Sequence, residues 1–435
     1  MSIAVLMDYC YLEEKLMNIL NLSHYYFPEK ISSSHLTEDL EDAYIKAGHT
    51  ITVFAPTPTR GISDDIRRSY KNKLYEERKS GAIKIHRFHM MREGKNPIGR
   101  AFRYFCVHWK HYKVAIKQTN IDVIIAGSTP PTQGLVCAIV AKKLSKKYKK
   151  KIPFIYNLQD IFPDSLVNIG MTKRGSLIWK IGRKMEDYIY KNADRIVVIS
   201  EDIKRNIMEK GVSEEKVQLT YNWINTQEVH PILPENNWLL NELGLNPKNF
   251  YVVYAGNLGK AQGIDVILEA AELLKSHVSI QFLIFGNGVE EESIRTIMKQ
   301  KHLSNVQLYP LQPVERVSEV YSLGDICVVA CKKGNGVNAF PSKTVSIMAT
   351  ATPVLASFDR ESELCRLIEN YQCGVCCEPE DARVMADTIL QLFEDSVAVI
   401  KMGQNARRLV ETRFGKATCV AEYVNLFKEL TAKSQ

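Results

Sequence analysis

The run Phe250-Tyr-Val-Val-Tyr254-Ala-Gly256-Asn-Leu-Gly259 decides the fold of the second half of this chain. Five β-branched or aromatic residues in a row show no polar alternation, so the strand they form is buried on both faces. The run ends in two glycines, the composition of a tight turn into a helix. Forward of it, helix 263–275, strand 279–285, helix 290–301, strand 305–308, a short helix near 313–322 and strand 326–330 alternate. A glycine-rich loop, 331–340, then leads to helix 341–350, strand 353–357 and closing helices. Backward of it the same alternation fills the first half. The spacing predicts strand 17–24, helix 36–47 with a Gly48-His49 stop, strand 50–55, a polar stretch 57–80 without clear period and strand 83–88. An aromatic helix 98–118, strand 122–126, helix 133–148, strand 153–157, helix 174–191 and strand 195–199 complete it.

Apolar strands separated by helical periods specify parallel sheets covered on both faces. The expected fold class is therefore α/β: two doubly wound, Rossmann-like domains facing each other across one cleft. The first is expected over 17–225 and the second over 249–415, joined by a Pro-, Asn- and Glu-rich linker, 226–248. Residues 416–435 form a C-terminal helix that either closes the second domain or crosses back to the first. Residues 1–16 read as an extension before a second possible start at Met17, or as a real extra element.

Charge is uneven along the 435 residues. Lys+Arg is 57 against 49 Asp+Glu, a net +8; residues 1–230 hold 37 against 25, leaving 20 against 24 for the rest. A basic first half and a slightly acidic second half suggest two domains with different partners. Hydrophobic residues at 45% and charged residues at 24% exclude collagen-like, wholly disordered and small disulfide-stapled proteins. Among 10 cysteines the only cluster is Cys373, Cys376 and Cys377, which lacks a second ligand pair and reads as part of a buried strand. There is no secretory signal and no apolar run of about 18 residues, so a cytoplasmic location is expected.

Ligands of open parallel sheets sit beyond the strand C-termini, which selects the loops after each strand. Three in the second half are rich in Gly: Gly256-Asn257-Leu258-Gly259, Gly286-Asn287-Gly288, and Gly334 through Asn338 to Pro341-Ser342-Lys343. None is a Walker sequence or a full dinucleotide fingerprint. In the third, Pro341 suits position N1 of helix 341–350. The N–H groups of Ser342 and Lys343, with the Lys343 ammonium, then suit a diphosphate. An ordinary helix start with an exposed Lys is the other reading. Asp160, directly after strand 153–157, suits an acceptor hydroxyl or a helix cap, as does Asp164. The first loop, Phe27-Pro28-Glu29 to Ser32, Ser33 and Ser34, has small residues where a substrate can approach the backbone.

The basic surface has two parts. Residues 142–151 hold seven Lys, among them Lys142, Lys143, Lys146 and Lys147; helix 98–118 interleaves Phe102, Tyr104, Phe105, Trp109 and Tyr112 with Arg100, Arg103, Lys110, Lys113 and Lys117. Such a mixture suits an anionic membrane, or a core-facing stripe beside a solvated Lys run. No recognised nucleic-acid module accompanies it.

At these loops the sequence resembles family 4 glycosyltransferases, which have the two-domain GT-B fold. The resemblance runs from Met17 through Ala47-Gly48-His49, Asn192-Ala193-Asp194, Tyr254-Ala-Gly256-Asn-Leu-Gly259, Phe285-Gly-Asn-Gly288 and Met348-Ala349-Thr350. Asp160-Ile-Phe-Pro163-Asp164-Ser165, Tyr221-Asn222-Trp223 and Pro341-Ser342-Lys343 resemble the branch of bacterial O-antigen and capsule synthesis that includes N-acetyl-fucosamine transferases. The resemblance implies retaining, metal-independent transfer from a nucleotide-sugar co-substrate, UDP by default, to a lipid-diphosphate-linked glycan at the inner face of the membrane, with no other cofactor and no nucleic acid.

By resemblance the donor site comprises Gly256, Asn257, Gly259, Lys260, Gln262, Gly286, Gly288, Ala339, Phe340, Pro341, Ser342, Lys343 and Ser346. Asp160, Lys343 and Asn338 would be catalytic, with Ser32, Ser33, Asp160, Asp164 and Ser165 on the acceptor side. The family's two glutamates, eight positions apart, are replaced by Asn338 and Ser346, and its usual Arg and Lys for the diphosphate by Asn257 and Gln262. Lys343, the helix start and Lys260 would then carry the leaving diphosphate's charge. A nucleotide-sugar epimerase on the same fold and a catalytically weakened partner subunit are the competing readings.

Overall fold

The computed structural model describes residues 16–29, 34–94, 96–168, 170–336 and 340–432. Residues 1–15, Ser32, Ser33, Asn338 and Ala339, all named above, lie outside the described residues. The chain forms two compact units. Unit 1 comprises 1–199, 207–220 and 420–435, and unit 2 comprises 200–206 and 221–419.

Unit 1 is built on an eight-stranded sheet. Its strands are β1 (Asn18–Leu22), β2 (Thr50–Pro56), β3 (Tyr75–Arg78), β4 (Ile83–Phe88), β5 (Val123–Gly127), β6 (Phe154–Leu158), β7 (Arg195–Val198) and β8 (Val217–Leu219). They lie in the order β3-β4-β2-β1-β5-β6-β7-β8, parallel except for the β3–β4 pair. The polar stretch 57–80 differs from expectation: it folds as helix Asp64–Ser69 and edge strand β3. Here the pairing is electrostatic: Glu76 faces inward and accepts from Arg87 at 2.6 Å, a wholly buried ion pair that no apolar period announces. Loop ends are tied by Glu29, whose Oε1 accepts the N–H groups of Thr59 and Arg60 at 2.7 Å each. The last helix, Lys416–Ala432, brings Phe427 against Tyr44 and His49 of this unit.

Unit 2 carries a six-stranded, all-parallel sheet. Its strands are β9 (Phe250–Asn257), β10 (Ile280–Asn287), β11 (Val306–Tyr309), β12 (Ile326–Ala330), β13 (Val354–Ser357) and β14 (Gly374–Cys377), in the order β11-β10-β9-β12-β13-β14. The order reverses between β9 and β12, the switch point where such sheets bind ligands. The stretch 226–248 packs within unit 2: buried Asn237 caps helix Trp238–Glu242 and donates to the Glu319 carbonyl at 2.9 Å. Cys376 and Cys377 lie in β14, and with Cys373 they are buried and free.

β9 and β10 run in register to their ends, with Gly256 beside Gly286 and Asn257 beside Asn287. A Cβ on Gly286 would stand 2.4 Å from the Gly256 carbonyl oxygen, and one on Gly288 2.4 Å from that of Leu258. These two glycines are thus required by backbone approach over the fully buried Leu258. Gly286→Ala should cost about 1–3 kcal/mol by overpacking, read as a lower midpoint in denaturant unfolding; an unchanged midpoint would show that the strands can part there.

Candidate functional site

A cavity of about 490 Å³ opens at the β9–β12 switch point. One wall is polar backbone and short side chains: Gly256, Asn257, Gln262, Pro341, Ser342 and Lys343. The other is apolar, made of Phe285, Leu311, Pro313, Val314, Val317, Val320 and Tyr321. That size and mixture suit a small ligand with one flat apolar part and one anionic part.

The polar wall centres on helix Ser342–Ala349. Pro341 sits at its N-cap, one residue earlier than expected, with φ −65° and ψ 121°, and no side chain caps the helix. The first N–H groups of a helix have no intrahelical acceptor, so those of Ser342 and Lys343 are available to an anion. Lys343 is a half-buried residue whose ammonium is wholly enclosed. Its Nζ has no hydrogen-bond partner among the described residues and lies 3.8 Å from the centroid of the Tyr254 ring. Tyr254 is itself buried and donates its hydroxyl to the Asn257 carbonyl at 2.8 Å. A cation over an aromatic face is attracted by the ring, but this does not replace the lost water. Burial accordingly lowers the Lys343 pKa to about 7, with the Cys327 and Cys331 thiols acting weakly the other way.

Gly256, with φ +147°, is in a conformation L-residues rarely adopt, and a Cβ there would come 3.8 Å from Lys343 Nζ. The glycine-rich loop before the helix is held by Asp359, which is buried after β13. Its Oδ1 accepts from Gly334 N–H at 2.9 Å and its Oδ2 from Gly336 N–H at 2.7 Å.

Other expected donor residues sit elsewhere. Gly259, Lys260, Gly286, Gly288, Phe340 and Ser346 are not on the cavity wall. Lys260 is exposed on the short turn Lys260–Gln262. Phe340 stacks on Phe414, 5.7 Å between centroids, and meets Tyr221 at 6.0 Å. Tyr254 and the Leu311–Val317 wall were not among the expected site residues: Tyr254 reads as part of a buried strand, and 311–317 announces only the start of a short helix.

In unit 1, Asp160 is exposed just beyond β6. Ser128, after β5, accepts from the N–H groups of Gln159 and Asp160 at 3.0 and 3.4 Å and fixes this turn. Partial loss of hydration raises the Asp160 carboxyl pKa. Asp164 does not offer a free carboxylate. It accepts from Lys210 at 2.7 Å and from the Trp179 indole at 3.2 Å. Burial alone would raise its pKa, but the hydrogen bond from the Lys210 ammonium wins and holds it below the usual value. Ser165 lies one position on, in the short helix Asp164–Asn168.

The switch point of this sheet, between β1 and β5, holds a cluster absent from the expected set. His24 and His108 approach Nε2 to Nε2 at 3.1 Å, His108 also reaches Thr132 Oγ1 at 3.4 Å, and His111 packs against His24. Burial lowers all three, His108 to about 4 and His111 to about 3, so they are neutral at pH 7.

Residues 34–228 match the family model described as Glycosyltransferase Family 4, and residues 239–409 match that described as Glycosyl transferases group 1. The chain belongs to the glycosyltransferases. Among relatives, a protein named a probable glycosyltransferase, WbjE of Pseudomonas aeruginosa, is 24% identical over 74% of this chain and 78% of that one. WcaI of Escherichia coli, named for colanic acid biosynthesis, is 26% identical over 62% and 66%. Among solved structures, sucrose-phosphate synthase of Thermosynechococcus elongatus superposes with TM-score 0.72 at 18% identity, covering 96% of this chain and 100% of that one. HepE of Anabaena, solved in complex with UDP, gives 0.69 at 16%, covering 95% and 100%. With these neighbours, the two parallel-sheet units make this glycosyltransferase a GT-B fold.

A Lys near pKa 7 must gain a proton to hold an anion. A nucleoside diphosphate seated against Lys343, with UDP as the probe, should therefore take up protons on binding, and its affinity should fall as pH rises from 7 to 9, approaching tenfold per pH unit. Calorimetry in two buffers of different ionisation enthalpy checks it; proton-neutral binding, or the same slope in Lys343→Met, would contradict the assignment.

Proposed function

We propose that the protein transfers a sugar, with retention and without a metal, from a nucleotide-sugar donor to a lipid-diphosphate-linked glycan in bacterial surface-polysaccharide synthesis. The observation that carries this reading is the enclosed Lys343 ammonium, without a hydrogen-bond partner or a helix cap among the described residues, at a helix start in a ligand-sized cavity. Sugar transfer leaves a nucleoside diphosphate, whose negative charge grows as the glycosidic bond breaks. Lys343 Nζ and the N–H groups of Ser342 and Lys343 meet that charge, the role that a bound cation would otherwise fill. Gly256 lets the phosphates approach the backbone of β9, and the Leu311–Val317 wall suits the flat base.

UDP is the default nucleotide and an N-acetylated deoxyhexosamine the default sugar. The complex of HepE with UDP and the polysaccharide names of WcaI and of AmsK, an amylovoran-synthesis protein, support the class of reaction. Unit 1 takes the acceptor. Asp160, the exposed carboxylate beyond β6 with a raised pKa, orients the acceptor hydroxyl. The acceptor's lipid places the reaction at the inner face of the membrane, where the basic first half of the chain meets anionic headgroups.

Lys343→Ala should lower transfer by about two to three decades, the usual loss for one stabiliser of developing charge. Near-normal transfer by that variant, measured with radiolabelled donor sugar and lipid-linked acceptors, would refute the role of Lys343. Conversion of donor to its epimer without acceptor would favour the epimerase reading instead.

A further inference from the structure

This inference rests on the transferase reading and concerns how unit 1 meets the membrane that holds its acceptor. Three helices, Pro97–Ala115, Thr132–Tyr148 and Leu177–Asn192, connect β4 to β5, β5 to β6 and β6 to β7. Each step crosses the sheet in the same direction, and right-handed crossovers then place all three in one layer on one face. The middle helix packs against both others.

The outer surfaces of the flanking helices are apolar. Phe102, Phe105 and Trp109, at positions i, i+3 and i+7, are 57%, 66% and 53% exposed; Leu177, Ile178 and Ile181 are 74%, 59% and 61% exposed. The opposite faces of the same helices supply the core, with Val107 and Ile189 almost fully buried. Large apolar side chains scattered singly over a surface are normal, but two stripes on neighbouring helices are not. Phe102, Leu177, Ile178 and Ile181 lie in the first two turns of their helices, and Phe105 and Trp109 continue the first stripe into the next two turns. Those first turns lie at the edge of the sheet where the strands end and ligands bind.

Charge chooses the occupant. Helices Pro97–Ala115 and Thr132–Tyr148 contain no Asp or Glu, and neither does 177–185. Cations border the stripes instead: Lys180, Lys184, and Lys113, whose Nζ lies 4.7 Å from the centroid of the Trp109 ring; Arg100, paired with Glu93 at 3.1 Å, is not one of them. A second copy of this face would meet its own positive charge. An anionic bilayer offers both an apolar interior and phosphates at the depth where aromatic rings settle.

We propose that these two helix stripes form a bilayer-docking edge, with the six apolar side chains at headgroup depth and the bordering cations on lipid phosphates. Lys142, Lys143, Lys146 and Lys147 are exposed on the last turns of the middle helix, at the opposite edge of the layer. They add to the field that attracts the protein and do not insert.

The test is co-sedimentation of the full-length protein with phosphatidylcholine vesicles, with and without phosphatidylglycerol. The protein should bind the anionic vesicles. Ile178→Asp/Ile181→Asp and Phe102→Asp/Phe105→Asp should each weaken binding at least about tenfold, and Lys142→Gln/Lys146→Gln less. Thermal shift by UDP, unchanged in every variant, confirms that the variants fold. Unaltered vesicle binding by the Asp variants would overturn the proposal, as would a dimer in solution that these substitutions dissociate. If UDP binds and sugar is transferred while the Asp variants still sediment normally, only the docking edge is wrong. If UDP does not bind, the transferase reading fails whatever the vesicles show.

Discussion

An ammonium group held inside unit 2 without a hydrogen-bond partner among the described residues is the constraint around which the site is arranged. Withdrawing a charge from water costs several kcal/mol unless another group compensates, and the Tyr254 ring compensates only in part. The protein lives with this by letting Lys343 approach neutrality near pH 7. Such a group is worth its instability only if something anionic restores the balance. The surroundings agree with that reading. No described side chain caps the helix that carries Lys343, the next-to-last residue of β9 is a glycine with a φ that L-residues rarely adopt, and Asp359 fixes the loop that precedes the helix.

Asn257 and Gln262 stand on the cavity wall with neutral amides. Lys343 therefore supplies the wall's positive charge, at low effective dielectric where a single charge counts for more. Ser346 lies one turn further along the same helix and off the cavity wall.

Most of the architecture was legible because parallel strands buried on both faces write themselves as apolar runs. Phe250–Tyr254, Val123–Ala126 and Ile326–Ala330 could hardly be anything else. What escaped was held together by other means. Strand β3 reads Tyr-Glu-Glu-Arg and is joined to the sheet through the Glu76–Arg87 pair, and β8 is only three residues long. At the site, Lys343 was visible from its helix start, but Tyr254 looked like core because it is core as well as the floor beneath the ammonium. Gly286 and Gly288 were read as a phosphate loop, and the closeness of two backbones is a requirement for glycine there that the sequence does not announce. Asp164 read as a helix cap or an acceptor-side residue, and nothing local announces its partner Lys210, 46 residues away. The histidines at the β1–β5 switch point are spread from position 24 to 111, and only the topology brings them together.

The most direct measurement is a crystal structure of the protein with UDP. A diphosphate oxygen should lie about 3 Å from Lys343 Nζ and accept the N–H groups at the start of helix Ser342–Ala349. A nucleotide bound elsewhere, with Lys343 still resting on Tyr254, would contradict the central claim.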